Sequence, residues 1–280
     1  MSRQWKSRLF VAAMILSLAV SFGTLGWLLA TTVVDGLPGI SRQLFSSPPS
    51  TVPEEAGARP AILATVYLAA LLLLMAVPVG VGTAIYLEEY AHRERWYNRL
   101  LEINIQNLAA VPAIVYGILG LAFVVRGPVG IGRVLLAGAI ILTLVVLPTV
   151  IIASREAIRA VPDSIRQGGF ALGATKWQVV SRQVLPASLP GIATGSILAL
   201  SRAVGETAPL LLIGALQYVA FDPTVLGAFT ALPVQIYTWV KLPNPEFQTL
   251  AAAAIIVLLA IVLAMNALAI FLRNRYRQTW

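Results

Sequence analysis

Arg202 and Glu206 stand four residues apart inside an otherwise apolar stretch, 191–216. On a helix that spacing puts both on one face. A charge in the middle of a membrane helix costs at least about 2.5–3.5 kcal/mol on insertion scales. Two such charges demand either a water-filled path or a compensating pair. The chemistry that fits is recognition of an oxyanion. The planar arginine fork can make two parallel hydrogen bonds to it and stays charged when partly desolvated. A glutamate beside it would hold the arginine in place without ligand and would accept a hydrogen bond from a protonated anion. That favours hydrogenphosphate over sulfate, which has no proton at neutral pH. The other reading is a structural ion pair locking two helices.

No second constellation competes. The chain has no cysteine and one histidine, His92, which excludes disulfides, thiolate metal sites and a histidine-rich centre. Glu88 and Glu89, near His92, Arg93, Glu94 and Arg95, read as a solvated mixed-charge loop rather than a metal or proton site. Gln106 and Asn107 read as interhelical packing residues. No nucleophile–base pair is apparent, so no catalytic residue and no metal ligand is expected.

The elements that must position Arg202 and Glu206 follow from composition. Of 280 residues, 58% are hydrophobic and 11% charged, against roughly 25% charged in soluble domains. That excess of apolar surface needs lipid as its solvent. Six stretches are long enough to span: 10–33, 61–87, 105–125, 134–153, 191–216 and 250–272. The first is too long for a signal-peptide core and is expected to be retained. Pro78 and Pro112 should kink the second and third. Segment 218–240 contains Asp222, Pro223 and Pro233 and reads as an excursion on the outer side, partly re-entrant, rather than a seventh span. The Pro/Ser-rich segment 35–60 reads as an extended linker between the first span and the rest.

With the N-terminus inside, the inner segments carry Arg3, Lys6 and Arg8; Arg93, Arg95 and Arg99; Arg155, Arg159, Arg166, Lys176 and Arg182; and Arg273, Arg275 and Arg277. The outer ones carry Arg42, Arg59, Arg126, Arg133 and Lys241. Fourteen against five is a positive-inside bias. The net charge of +8 therefore reads as topology and not as affinity for nucleic acid. Both termini are expected in the cytoplasm, and the last basic residues form a tail, 273–280.

The inner loop 154–190 is not turn-like. Ser154 could cap a helix, with Glu156 in its first turn. Gly168, Gly169 and Gly173 interrupt. Trp177, Val179, Val180 and Val184 then resume an apolar face, and Pro186 and Pro190 are expected to end it at the membrane. Two short amphipathic helices with exposed apolar residues fit either a protein partner or a bed of lipid headgroups.

Two motifs carry a resemblance. The first is Gln167-Gly168-Gly169, three residues, Gly173, nine residues, then Gln183-Val184-Leu185-Pro186, with Leu172-Gly173-Ala174-Thr175-Lys176-Trp177-Gln178 within it. It resembles the Glu-Ala-Ala loop of ABC-importer permeases in the glycine, the spacing and the Leu-Pro. The Glu-Ala-Ala itself and the isoleucine are absent, so no salt bridge from position 167 is implied. The second is Ser201-Arg202-Ala203-Val204-Gly205-Glu206-Thr207-Ala208-Pro209-Leu210-Leu211, together with Ala231-Leu232-Pro233-Val234-Gln235-Ile236-Tyr237. It is similar to phosphate permeases of the PstA type.

The resemblance implies an all-α, polytopic bundle of about six spans with a type I importer (MetI-like) permease core over 61–272. It implies that Arg202, Glu206 and Thr207 line a phosphate path. Gly169, Leu172, Gly173, Ala174, Thr175, Trp177, Leu185 and Pro186 would form the coupling loop. The implied partners are a homologous PstC-type permease, two ATP-binding subunits and an extracytoplasmic phosphate-binding protein, all at the lipid bilayer of the cell membrane. No Walker motif G-x-x-x-x-G-K-[S/T] occurs, so ATP and magnesium would belong to a partner, with no cofactor on this chain. Permeases for sulfate, molybdate or phosphonate, and an ion-coupled secondary transporter, are the competing readings.

Overall fold

Lipid offers a backbone no hydrogen-bond partners, so apolar spans must be helical. The computed structural model describes residues 3–92, 94–216 and 218–276, and no strand occurs among them. Arg93 and Arg277 of the charge count lie outside the described residues. Helix α1 is Arg3–Gly36 and α2 is Arg42–Ser46. Helix α3, Arg59–Ile85, runs on through a π-helical turn, Tyr86–Tyr90. Helices α4 (Trp96–Ala109) and α5 (Ala113–Gly120) follow, α5 continuing as a π-turn, Leu121–Val125. Helix α6 is Leu135–Arg159, α7 is Asp163–Ala171 and α8 is Lys176–Val179. A π-turn, Val180–Val184, joins α8 to α9, Leu185–Val204. Helices α10 (Ala208–Ile213), α11 (Leu232–Val240) and α12 (Pro245–Tyr276) complete the chain.

Five helices are long and apolar enough to cross a bilayer. The sixth crossing is the α4–α5 pair, bent by 101°. Connectivity requires it to cross. Helices α3 and α6 run parallel: Gly80 lies on Val150, and Glu88, just past the end of α3, pairs with Arg155 five residues further along α6. The chain therefore returns between them. Helix α4 climbs α6 in the opposite sense, from Glu102 beside Arg155 to Ile105 beside Ile151.

Small residues set the tightest contacts. Helix α9 is antiparallel to α6, with Gly191 over Ala157 and Gly195 over Ala153. Without side chains at these two positions the backbones come close, and dispersion and packing hold helices together where lipid removes the hydrophobic drive. The central core joins α3, α6, α9 and α10 through Leu72, Leu142, Leu200, Leu210 and Phe229, all at most 1% exposed. Helix α1 stands apart. Its side chains from 7 to 30 are exposed, and it touches the bundle near its end, where Gly36 backs onto Ala252 of α12.

The structure corrects several expectations. The third span is not one kinked helix over 105–125: the chain leaves α4 at Ala109 and turns at Pro112, whose missing N–H and steric demand on residue 111 break the helix. The fifth span does not run over 191–216. One helical rod, Lys176–Val204, stops there, and 205–207 is irregular. Pro186 and Pro190 do not end a loop helix but lie within that rod, the π-turn just before Pro186 absorbing the disruption. Ser154 caps nothing: it is buried inside α6. The 35–60 segment is not an extended linker. Leu44, Ala56 and Ala58 are buried with Trp239 and Phe247 of the C-terminal half. The reading of 218–240 as no seventh span holds: it is irregular up to the nine-residue α11.

A Cβ built on Gly195 would sit 2.6 Å from that of Ala153. We expect Gly195→Val to destabilise the bundle by about 1–3 kcal/mol through overpacking, read as a lower unfolding midpoint in detergent. Gly195→Ala combined with Ala153→Gly should recover most of the loss.

Candidate functional site

The end of α9 and the break between α4 and α5 meet at one level. Val145 and Val146 of α6, beside them, lie about 15 Å along that helix at 1.5 Å per residue, close to the middle of a hydrocarbon core of roughly 30 Å. Ala109, Val111 and Ala113 from the break, Val145, Val146 and Thr149 from α6, and Ala199, Arg202, Ala203 and Glu206 enclose a cleft there. Its volume is ≈ 440 Å³ with the open mouth included. Irregular backbone at such depth is tolerated where it is buried in protein or lines a watery cavity. Two helices interrupted at the same level meet that condition.

Arg202 Nε stands 3.8 Å from Glu206 Oε1. That is within ion-pair range but beyond a hydrogen bond. No hydrogen bond to the Arg202 guanidinium is made among the described residues, so its N–H groups are open to an incoming acceptor. The Arg202 side chain is 80% exposed and that of Glu206 24%. The pair belongs to one short stretch of chain and so does not lock two helices together. A guanidinium this open cannot face lipid at mid-depth. It faces water, a ligand or another polypeptide. Thr207, expected beside them, opens α10 half-buried and is not among the residues enclosing the cleft.

The loop at the far end of α6 is a rigid turn. Ala174 N–H donates to Gly169 O and Gly173 N–H to Phe170 O, the paired bonds of a Schellman ending for α7. Gly173 sits at φ +78°, with open space where a side chain would go, so backbone conformation is what requires glycine. Two residues on, Thr175 and Gln178 form a reciprocal capping box that starts α8. Gly169 is buried against Val179 and Gln183, which lets α7 lie on the rod. The turn holds Leu172, 87% exposed, and Trp177 outward. Leu185 and Pro186, expected in the loop, belong to the rod; Leu185 packs against the cluster of Ala84, Ile158 and Val184.

Sequence reasoning missed the acids beneath this loop. Glu88 and Glu89 are not solvated: their side chains are 5% and 8% exposed. Arg155 Nε donates to Glu88 at 2.8 Å and its Nη2 to Glu102 at 2.6 Å; Arg159 Nη2 donates to Glu88 at 2.7 Å. Arg166 in α7 donates to Glu89 at 2.9 Å and to the carbonyls of Val161 and Ile158. These pairs join residues 53 to 77 positions apart, and spacing alone does not signal them. The capping box was legible as Thr-x-x-Gln. Gln106 and Asn107 are not buried between helices; both are exposed, Gln106 at the edge of a cleft between α4 and α6.

Residues 76–278 match the family model described as binding-protein-dependent transport system inner membrane component. The chain is 34% identical to the phosphate transport system permease protein PstA of Yersinia pestis, over 97% of this chain and 93% of that one. It is 32% identical to the phosphate transport system permease protein PstA 1 of Mycobacterium tuberculosis (strain ATCC 25618 / H37Rv), over 99% and 91%. Its fold is similar to a chain of a bacterial alginate ABC transporter solved with an alginate pentasaccharide-bound periplasmic protein. The TM-score is 0.69 at 18% identity, covering 99% of both chains.

Arg166 ties α7 to Glu89 and to two carbonyls with charge-assisted bonds, each of roughly 1.5–3 kcal/mol. Arg166→Ala should therefore loosen α7, seen as protease cleavage within 160–175 at several-fold lower protease, with Arg166→Lys intermediate.

Proposed function

Because the chain belongs to the family of binding-protein-dependent transport system inner membrane components, we propose that it is one of two permease subunits forming the path for ATP-driven import of inorganic phosphate. It is a multi-pass membrane protein. The single observation that carries the substrate reading is the open guanidinium of Arg202 at mid-depth beside Glu206. A hydrogenphosphate entering the cleft takes two parallel N–H bonds from Arg202. Its own proton is directed at Glu206, which a fully deprotonated sulfate cannot exploit. Before the anion arrives, Glu206 tethers Arg202 without consuming its donors.

The exposure of Arg202 supports a second, homologous permease of the PstC type across the cleft, since a charge so open needs a polar surround on the missing side. The outward Leu172 and Trp177 support a groove in an ATP-binding subunit as the seat of the 154–190 loop. One such subunit under each permease makes two, and they carry the ATP and magnesium. An extracytoplasmic phosphate-binding protein delivers the anion at the opposite end. The positive-inside bias supports a cytoplasmic loop and cytoplasmic termini. In this cycle ATP-driven closure moves the loop, and the rod 176–204 carries that movement to Arg202.

Cells that depend on this system should lose phosphate uptake at least tenfold on Arg202→Ala while the protein stays in the membrane. Uptake that persists unchanged would favour another oxyanion. Liposomes holding this chain alone should take up no phosphate. Transport without ATP-binding subunit and ATP would make it an ion-coupled carrier instead. Gly173→Asp puts a side chain at a φ that non-glycine residues adopt at a cost of roughly 1–2 kcal/mol per residue. Uptake should be abolished with membrane insertion intact, as checked by fractionation and transport assay.

A further inference from the structure

Arg155 grips three segments at once. It projects from α6, bonds Glu88 in the π-turn that ends α3, and bonds Glu102 on α4. Its side chain is 9% exposed. Arg159, one turn on, shares Glu88. A few residues later Arg166 fastens the start of the 163–171 helix to Glu89, the neighbour of Glu88, and to the carbonyls that close α6. The loop that faces the ATP-binding subunit is thus pinned to the same short turn that Arg155 holds.

Glu102 is the outward link. It stands seven residues before Ala109 on α4, about 10 Å at 1.5 Å per residue. Ala109 and Val111 form the wall of the Arg202 cleft. Between them Gln106 lines a second cleft with Glu102, Ile152, Arg155 and Arg159. That cleft separates α4 from α6 on the side facing away from the tight α6–α9 contact. Helix α4 is held elsewhere mainly by Ile105 and Asn98, and most of its surface is exposed. A lightly packed helix with one end in a charged grip and the other at the break in the pathway is a lever.

We infer that Arg155 is a positioning residue for transport: through Glu102 it couples the ATPase-facing loop to the α4 wall of the Arg202 cleft. This rests on the ATP-driven reading. A carboxylate that only stabilised the fold would lower uptake and ATP hydrolysis together. A carboxylate that transmits movement would separate them.

The test uses the full complex of this chain with its partner permease, ATP-binding subunits and binding protein in proteoliposomes, with inorganic phosphate as the transported anion. Glu102, 40% exposed, tolerates replacement better than the buried members. Glu102→Gln is expected to keep binding-protein-stimulated ATP hydrolysis within twofold while phosphate imported per ATP falls at least fivefold. Glu102→Asp, which keeps the charge, should restore most of that ratio. Arg155→Lys, which can still pair with Glu88 but loses the two-armed fork, should resemble Glu102→Gln. An unchanged ratio in Glu102→Gln, or hydrolysis and uptake falling in parallel, overturns the inference. The unmodified complex run beside them separates the two levels. If it shows no ATP-dependent uptake, the importer reading fails. If it does, only the role of Arg155 is at stake.

Discussion

A charged guanidinium halfway through an apolar protein is the constraint around which the rest is arranged. Arg202 cannot face hydrocarbon, so the helix that carries it must open onto something polar. Helix α9 ends two residues later, and α4 and α5 part at the same level. Each interruption releases backbone groups that lipid could not satisfy. Bringing the two interruptions together confines that penalty to one place, the cleft that also houses the charges. The tight α6–α9 seam at Gly191 and Gly195 then holds Arg202 in register with the break.

The loop end answers a different demand. A surface proposed to move with a partner has to be stiff locally and attached firmly. Stiffness comes from the Schellman ending at Gly173 and the capping box at Thr175, which lock two helix ends within five residues. Attachment comes from buried ion pairs, which are costly to break singly because the surviving charge stays desolvated. Glu88 with Arg155 and Glu89 with Arg166 are such pairs, whereas Arg59–Asp222 at the opposite end is half exposed. Exposed pairs contribute little, so the strong electrostatics sit at the loop end, which the proposed function turns toward an ATP-binding subunit.

Membrane residence, the all-helical class and the approximate spans were legible because lipid turns composition into structure. Arg202 and Glu206 were legible for the same reason: charges stand out in an apolar stretch. What the sequence hid were events that hydropathy does not register. Leu210 and Leu216 are as apolar as the rest of their segment, yet the helix had already ended at Val204. Pro186 looked like a stop and was absorbed by a π-turn. Glu88 and Glu89 looked like surface because their partners lie more than sixty residues ahead in sequence. The 35–60 segment looked like a linker because its burial depends on Trp239 and Phe247.

The continuity of residues 176–204 gives the connection between the two sites its physical form. A coupling turn joined to the bundle by a flexible strand would lose displacement in that strand. Here Trp177, on the turn, and Arg202, in the cleft, ride one helical rod with its only irregularity at the π-turn 180–184. At 1.5 Å per residue the separation is about 38 Å, longer than the hydrocarbon core is thick. Helix α4 lies on the opposite flank of α6 and is tied to the same loop end through Glu102. The loop end is thus joined to the cleft along both walls: by the rod, which carries the charge, and by α4, which carries the break. Under the proposed import cycle, two stiff elements diverging from one grip would change the width of the space between them and so expose or close off the open guanidinium of Arg202.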